Sequence, residues 1–330
     1  MKIYPQYCYN YNKIGDNMNI DQNNINELLN KYISFTNRIC EENNYPNNIK
    51  HVLYLIIPAF IIKYGLKYEN MILGCFEKIK IHINEKENNA CTAYFSRILK
   101  KSPEGENPKY YTVKAIVLNQ YKSASLVDML DNVIHEFNHA VNSIINEIKY
   151  DEKQVGMRTG LSYMIYDIND IKHVKDKTKD ITLEEIINTK QTEDIIEIIR
   201  SFSKYEVHNE EFNNTFYALK HSIEGEYTSN AYYLQSFICK QLMENKTFIP
   251  TIENLRLNGN VDDIAGWFDN ITGREGSYNE LTLLLEKVLE DEEKLIKAKW
   301  FKKYKINKIR EKMRKAMDII KEYENNCIFK

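Results

Sequence analysis

The chain is short of the residues that bend or stiffen a backbone, with 11 Gly, 6 Pro and 2 Trp in 330 residues. Average usage would give roughly 23 glycines at this length. The scarcity goes with an abundance of Asn, Ile, Lys and 24 Tyr, which is the mark of AT-rich coding, so Asn richness by itself carries no function. Cysteine is sparse and scattered (Cys8, Cys40, Cys75, Cys91, Cys239, Cys327), and no CxxC pair occurs, which excludes a zinc ribbon and a redox motif. Scattered thiols fit a reducing compartment. The segment Met1 to Asn19 lacks the apolar centre of a secretory signal. The longest apolar run, Val52 to Ile62, is eleven residues and is interrupted by Pro58. A membrane span needs about 20, so no span is expected and the expected location is cytoplasmic. There is no excess of positive charge either: Lys+Arg 45 against Asp+Glu 47 gives a net charge of −2. That balance argues against a protein built to grip nucleic acid.

A 43% hydrophobic fraction is enough for a sizeable core, and the length suggests two lobes. Apolar residues recur at helical spacing over Asn24 to Asn43 and again over Asn48 to Gly65, where Pro58 predicts a kink. The period then changes. Ile79, Ile81 and Ile83 alternate with Lys80 and His82 as in a half-buried strand, and Ala90 to Leu99 and Tyr111 to Leu118 read as two further strands. Ser125 opens a long helix that is expected to run to about Lys149. Val155 to Asp167 reads as a strand or hairpin, and Lys172 to Asp180 as a charged loop. From Thr182 onward the pattern is helical (Leu183 to Arg200, Phe212 to Leu219, Ser229 to Met243, Tyr278 to Leu289 and a stretch ending near Glu324), with Gly266 to Gly276 as a connector. The fold class is α+β. A lobe of residues 1–149 with a small sheet ends in the long helix, and a mostly helical lobe of residues 150–330 follows.

That long helix carries His135-Glu136-Phe137-Asn138-His139, the pattern H-E-x-x-H. Residues four apart on a helix lie one turn above each other, so both imidazoles can reach one zinc ion, with the glutamate beside it. Random placement of seven histidines would produce the triplet in roughly one such chain in a hundred. With His135 as origin, His139 lies at about 40°, and Met129, Leu130, Val133, Phe137, Ala140 and Val141 fall between about 120° and 240°. The histidines therefore lie opposite the core-facing stripe.

Strands followed by such a helix resemble the zincin metallopeptidases. In metzincins a glycine and a third histidine follow the motif; here those positions are Asn142 and Ile145, which excludes that branch. The resemblance is to gluzincins, which take a glutamate from a downstream helix. Thr182-Leu183-Glu184-Glu185-Ile186-Ile187-Asn188 is acidic at the start of an apolar-periodic helix, and Glu185 follows His139 by 46 residues. Aligned with the gluzincin element, Glu185 takes the ligand position, with Glu184, Glu193 and Glu197 as alternatives. Thr182 with Glu185 also reads as a capping box that would only start the helix.

The resemblance implies one Zn2+ per chain held by His135, His139 and Glu185, and hydrolysis of a peptide bond by a zinc-activated water with Glu136 as general base. A Tyr or His that donates to the oxyanion is implied as well. Tyr227 is the candidate, beside His208, His221 and Tyr233. Asp128, Asp131 and Asn142, on the histidine side of the helix, are candidates to fix the imidazole tautomers. Tyr111 to Leu118 is expected to form the cleft edge, pairing with a peptide or protein substrate by strand addition. Arg158 and Gly160 are expected to shape the hairpin. The alternative is a non-enzymatic helical interaction protein that binds a partner or nucleic acid through the basic segment Lys297 to Lys315.

Overall fold

The computed structural model describes residues 22–84, 92–119, 126–178, 180–202, 233–296 and 302–327. Three helices come first: α1 (Gln22–Asn43), α2 (Asn47–Tyr64) and α3 (Glu69–Lys78). Helix α2 passes through Pro58 unbroken, and Val52 to Ile61 are buried throughout. It stops at Gly65, whose positive φ of 91° lets its N–H return to the Ile61 carbonyl at 2.8 Å.

The first sheet holds β1 (Lys80–Asn84), β2 (Thr92–Lys101) and β3 (Tyr110–Asn119) in the order β1-β3-β2. Strand β3 runs parallel to β1 and antiparallel to β2. The expected cleft edge, Tyr111 to Leu118, is therefore the central strand, and β2 is the edge. Alternation of apolar residues is the same in a central and an edge strand here, so strand order could not be read from it.

Helix α4 (Leu126–Val141) covers one face of this sheet. Its apolar side packs Phe137 on Phe76 (centroids 4.1 Å, stacked) and buries Met129, Leu130, Val133, Ile134, Ala140 and Val141. The helix ends eight residues before the expected Lys149. Arg158, fully buried, donates to the carbonyls of Asn142, Ile145 and Gly160, and Asn146 adopts φ 54°. The end of the helix is thus satisfied by a side chain from a later hairpin.

A meander follows: β4 (Ile148–Tyr150), β5 (Gln154–Thr159), β6 (Ser162–Asp167) and β7 (Asp170–Lys177), paired antiparallel in that order. Most of the segment expected as a charged loop is therefore strand β7. Nearly all its side chains are exposed, so it has no apolar alternation to betray it, and main-chain pairing to β6 holds it. The expected lobe boundary at 149/150 falls inside β4.

Helices fill the rest: α5 (Ile181–Phe202), α6 (Tyr233–Glu244), α7 (Phe248–Leu257), α8 (Asp263–Thr272), α9 (Ser277–Ile296) and α10 (Lys302–Cys327). Gly266 lies within α8, so the expected connector is reduced to the turn at Gly273–Gly276. Phe212 to Leu219 lies outside the described residues. Two main cores result. The first joins α1–α4 and the three-stranded sheet; the second joins α6–α10. Helix α5 enters both, giving Leu183, Ile186 and Ile187 to the second and Ile195, Ile196, Ile199 and Phe202 to the first. The architecture is α+β. Among the described residues no single helix is long and apolar enough to cross a membrane.

Candidate metal centre

Helix α4 sets the rings of His135 and His139 one turn apart, with centroids at 4.9 Å and planes at 80°. Helix α5 lies against α4 and brings its first turn to the same place. Glu185 Oε2 is 3.1 Å from His135 Nε2, and its Oε1 is 3.4 Å from His139 Nε2. One donor atom from each of the three residues lies within 4.8 Å of the others. His139 is buried, while the His135 and Glu185 side chains keep 24% and 22% of their exposure, so the cluster opens on that side.

Electrostatics follow from this packing. Burial disfavours the charged form of His139, but Glu185, with help from Glu184 and Glu136, outweighs it and carries the pKa up to about 10. Burial likewise opposes ionisation of Glu185, yet His139 and His135 hold it well below the usual carboxylate range. Glu136 is buried at 8% exposure, and among the described residues its carboxylate has no hydrogen-bond or ion-pair partner.

The adjacent Glu184 faces elsewhere. It is ion-paired with Arg256 and accepts the Leu161 N–H at 2.8 Å. Its Oε1 approaches His139 Nδ1 to 3.4 Å, and neither of these two buried atoms has an aligned hydrogen bond. Glu193 pairs with Lys190 and Glu197 with Arg200, so neither alternative reaches the histidines. The capping box is not formed: the Thr182 N–H goes to Glu286 of α9 at 2.9 Å, while Glu185 turns to the histidines.

Of the expected tautomer-fixing residues, Asn142 is buried, but it bonds the Asn138 carbonyl (2.9 Å), Gln191 (3.2 Å) and Tyr64 (3.3 Å) instead of an imidazole. The Asp128 side chain, Tyr227, His208 and His221 lie outside the described residues, and Tyr233 opens α6. Sequence reasoning missed the groups that steady the histidine backbone. Asn188 donates to the His135 carbonyl at 2.9 Å, and Ser143 donates to that of His139. Asn188 is one turn beyond Glu184 and Glu185 on an acidic-to-polar face, which is a signal; Arg256, 72 residues from Glu184, gives none. Arg158 and Gly160 do shape the hairpin, and they also touch the ends of both site helices.

Two imidazole nitrogens and one carboxylate that converge on one point match the donor set of a catalytic zinc site with an open position. A surface cavity of about 320 Å³ on the meander, lined by Lys149, Tyr163 and Asp262 among others, shares no residue with this cluster. Comparison of the chain with protein families, curated proteins and solved structures finds no match.

Proposed function

We propose that the chain is a zinc-dependent metallopeptidase of the zincin fold and gluzincin type, with one Zn2+ held by His135, His139 and Glu185. The observation that carries this reading is the Glu185 carboxylate lying between the Nε2 atoms of His135 and His139, which stand one helical turn apart with Glu136 in the interval. When bound, zinc supplies Lewis acidity toward a water and toward the scissile carbonyl. Glu136, buried and without a hydrogen-bond or ion-pair partner among the described residues, accepts the proton of the attacking water and passes it to the leaving amine. Ser143 and Asn188 hold the carbonyls of the two histidines, which fixes the turn on which the rings stand.

Substrate binding is assigned to β2 instead of β3. The Ala93 N–H on its outer edge donates to Asn132 of α4 at 3.1 Å, one turn before His135 and Glu136. In an antiparallel strand alternate residues point their main-chain groups the same way, so Phe95, Arg97 and Leu99 offer theirs to the same side. An extended peptide added there would lie along the motif. Among the described residues Cys40, Cys75, Cys239 and Cys327 are free thiols, which suits a cytoplasmic setting.

The competing reading, a binding protein that uses its basic C-terminal helix, has less support. Along α10, Lys312 pairs with Asp291, Arg314 with Asp318 and Lys315 with Glu311, so three of the six described basic side chains of the segment Lys297 to Lys315 are internally balanced. Metal analysis with three proteins tests both readings. Wild type is expected to carry one zinc per chain, His139→Ala to lose it, and Glu136→Gln to keep it without cleaving a peptide library. Metal-free wild type purified in the presence of zinc, or salt-sensitive retention on DNA with no hydrolysis, overturns the peptidase reading.

A further inference from the structure

We infer that Arg256 and Glu184 are a positioning pair for His139, fixing the ring so that its Nε2 faces the point where the three donors converge. The inference rests on the metal-site reading above and concerns residues that reading does not use.

Two consecutive glutamates both reach His139. Glu185 meets Nε2 and Glu184 meets Nδ1, each at 3.4 Å. Neighbouring residues on a helix point about 100° apart, so one helical turn sets a carboxylate beside each of the ring's two nitrogens. What keeps the two carboxylates in different roles is what stands behind Glu184. Arg256 and Glu184 are 0% and 1% exposed, and they form an ion pair on the side away from the histidine. Such a charge pair is costly to bury and leaves a charge stranded if one member is removed.

Other contacts remove the remaining freedom. The Leu161 N–H binds Glu184 Oε2, and Gly160 adopts φ +53°, where an added Cβ would overlap the carboxylate. Arg256 is itself held, since its second amino group donates to Gln191 at 3.1 Å. Gln191 donates to Glu253 at 3.0 Å, and Glu253 meets Lys63 of α2 at 2.9 Å. A polar chain thus runs from α2 through α7 and α5 to the back of one imidazole. An imidazole whose Nδ1–H faces a carboxylate keeps its lone pair on Nε2, the form a metal requires.

The test uses the full-length chain with zinc and cobalt as probes. Glu184→Gln and the double variant Glu184→Gln/Arg256→Met are compared with wild type; the double variant removes both charges together and avoids stranding either one. Zinc affinity is read by chelator competition, and coordination geometry by the visible absorption of the Co2+ form, which a loss of general stability does not move. Both variants are expected to bind zinc about 10–100-fold more weakly than wild type, with an altered cobalt spectrum. Their losses should be equal, because Arg256 acts through Glu184. Unchanged affinity and spectrum in the double variant, with wild type binding zinc, overturns the positioning role alone. A wild-type chain that takes up no zinc overturns it together with the metal-site reading.

Discussion

Zinc uptake by this protein is expected to expel a proton from His139. In the metal-free chain this buried ring stands among Glu184, Glu185 and Glu136, and its pKa is pushed up to about 10 from 6.5. Near pH 7.5 such a ring is almost wholly protonated, whereas a metal ligand must be neutral. Glu185, held well below the ordinary carboxylate range, is already ionised and releases nothing. Each ion bound should therefore displace about one proton from His139. Apparent affinity should climb about tenfold per pH unit between about 7 and 9 and level off above about 10. Calorimetric titration at pH 7.5 in buffers of different ionisation enthalpy counts the protons from the slope of heat against that enthalpy. A zero slope, with affinity independent of pH over the same range, would refute the reasoning. The stability of the metal-free form must follow the same sign. A folded-state pKa above the unfolded value stabilises fully below about pH 6.5, and that stability drains away as pH rises through about 10. On the order of 5 kcal/mol is at stake, and bound zinc should abolish the dependence.

Two smaller perturbations probe the surroundings. Gly160→Ala should cost about 1–3 kcal/mol in urea denaturation, from a strained positive φ and overlap with Glu184, and should weaken zinc retention; unchanged values for both would show that the Glu184 pocket is not as tight as described. Asn142→Leu should cost roughly 1–3 kcal/mol by breaking the buried contacts to Tyr64 and Gln191. It should leave zinc affinity alone, because Asn142 touches no imidazole, and a parallel loss of zinc would argue for a tautomer-fixing role after all.

What could be read in advance was whatever depends on local periodicity. Helices α1, α2 and α4 and the first three strands are written in their apolar spacing, and the histidine pair is written in a four-residue interval. What could not be read depends on partners distant in the chain. The end of α4 at Val141 is settled by Arg158. The edge position of β2 follows from β3 returning to lie between it and β1. The split between Glu184 and Glu185 follows from Arg256, which nothing near residue 184 announces. Strand β7 escaped notice because exposed charged side chains on both faces look like a loop unless main-chain pairing is seen.

Helix α5 also has a consequence for how the chain is made. Its far end gives Ile195, Ile196, Ile199 and Phe202 to a core otherwise built from residues before 142, together with Leu257. Burying four such side chains is worth about 1.5–3 kcal/mol each, a total comparable to the net stability of a typical domain. On the ribosome, therefore, the N-terminal core is expected to close stably only after residue 202 has cleared the exit tunnel. His139 is then expected to become buried in the same event that delivers Glu185. Nascent chains halted near residue 150 should be protease-sensitive and unable to retain zinc, and the site should come into being as a unit late in synthesis.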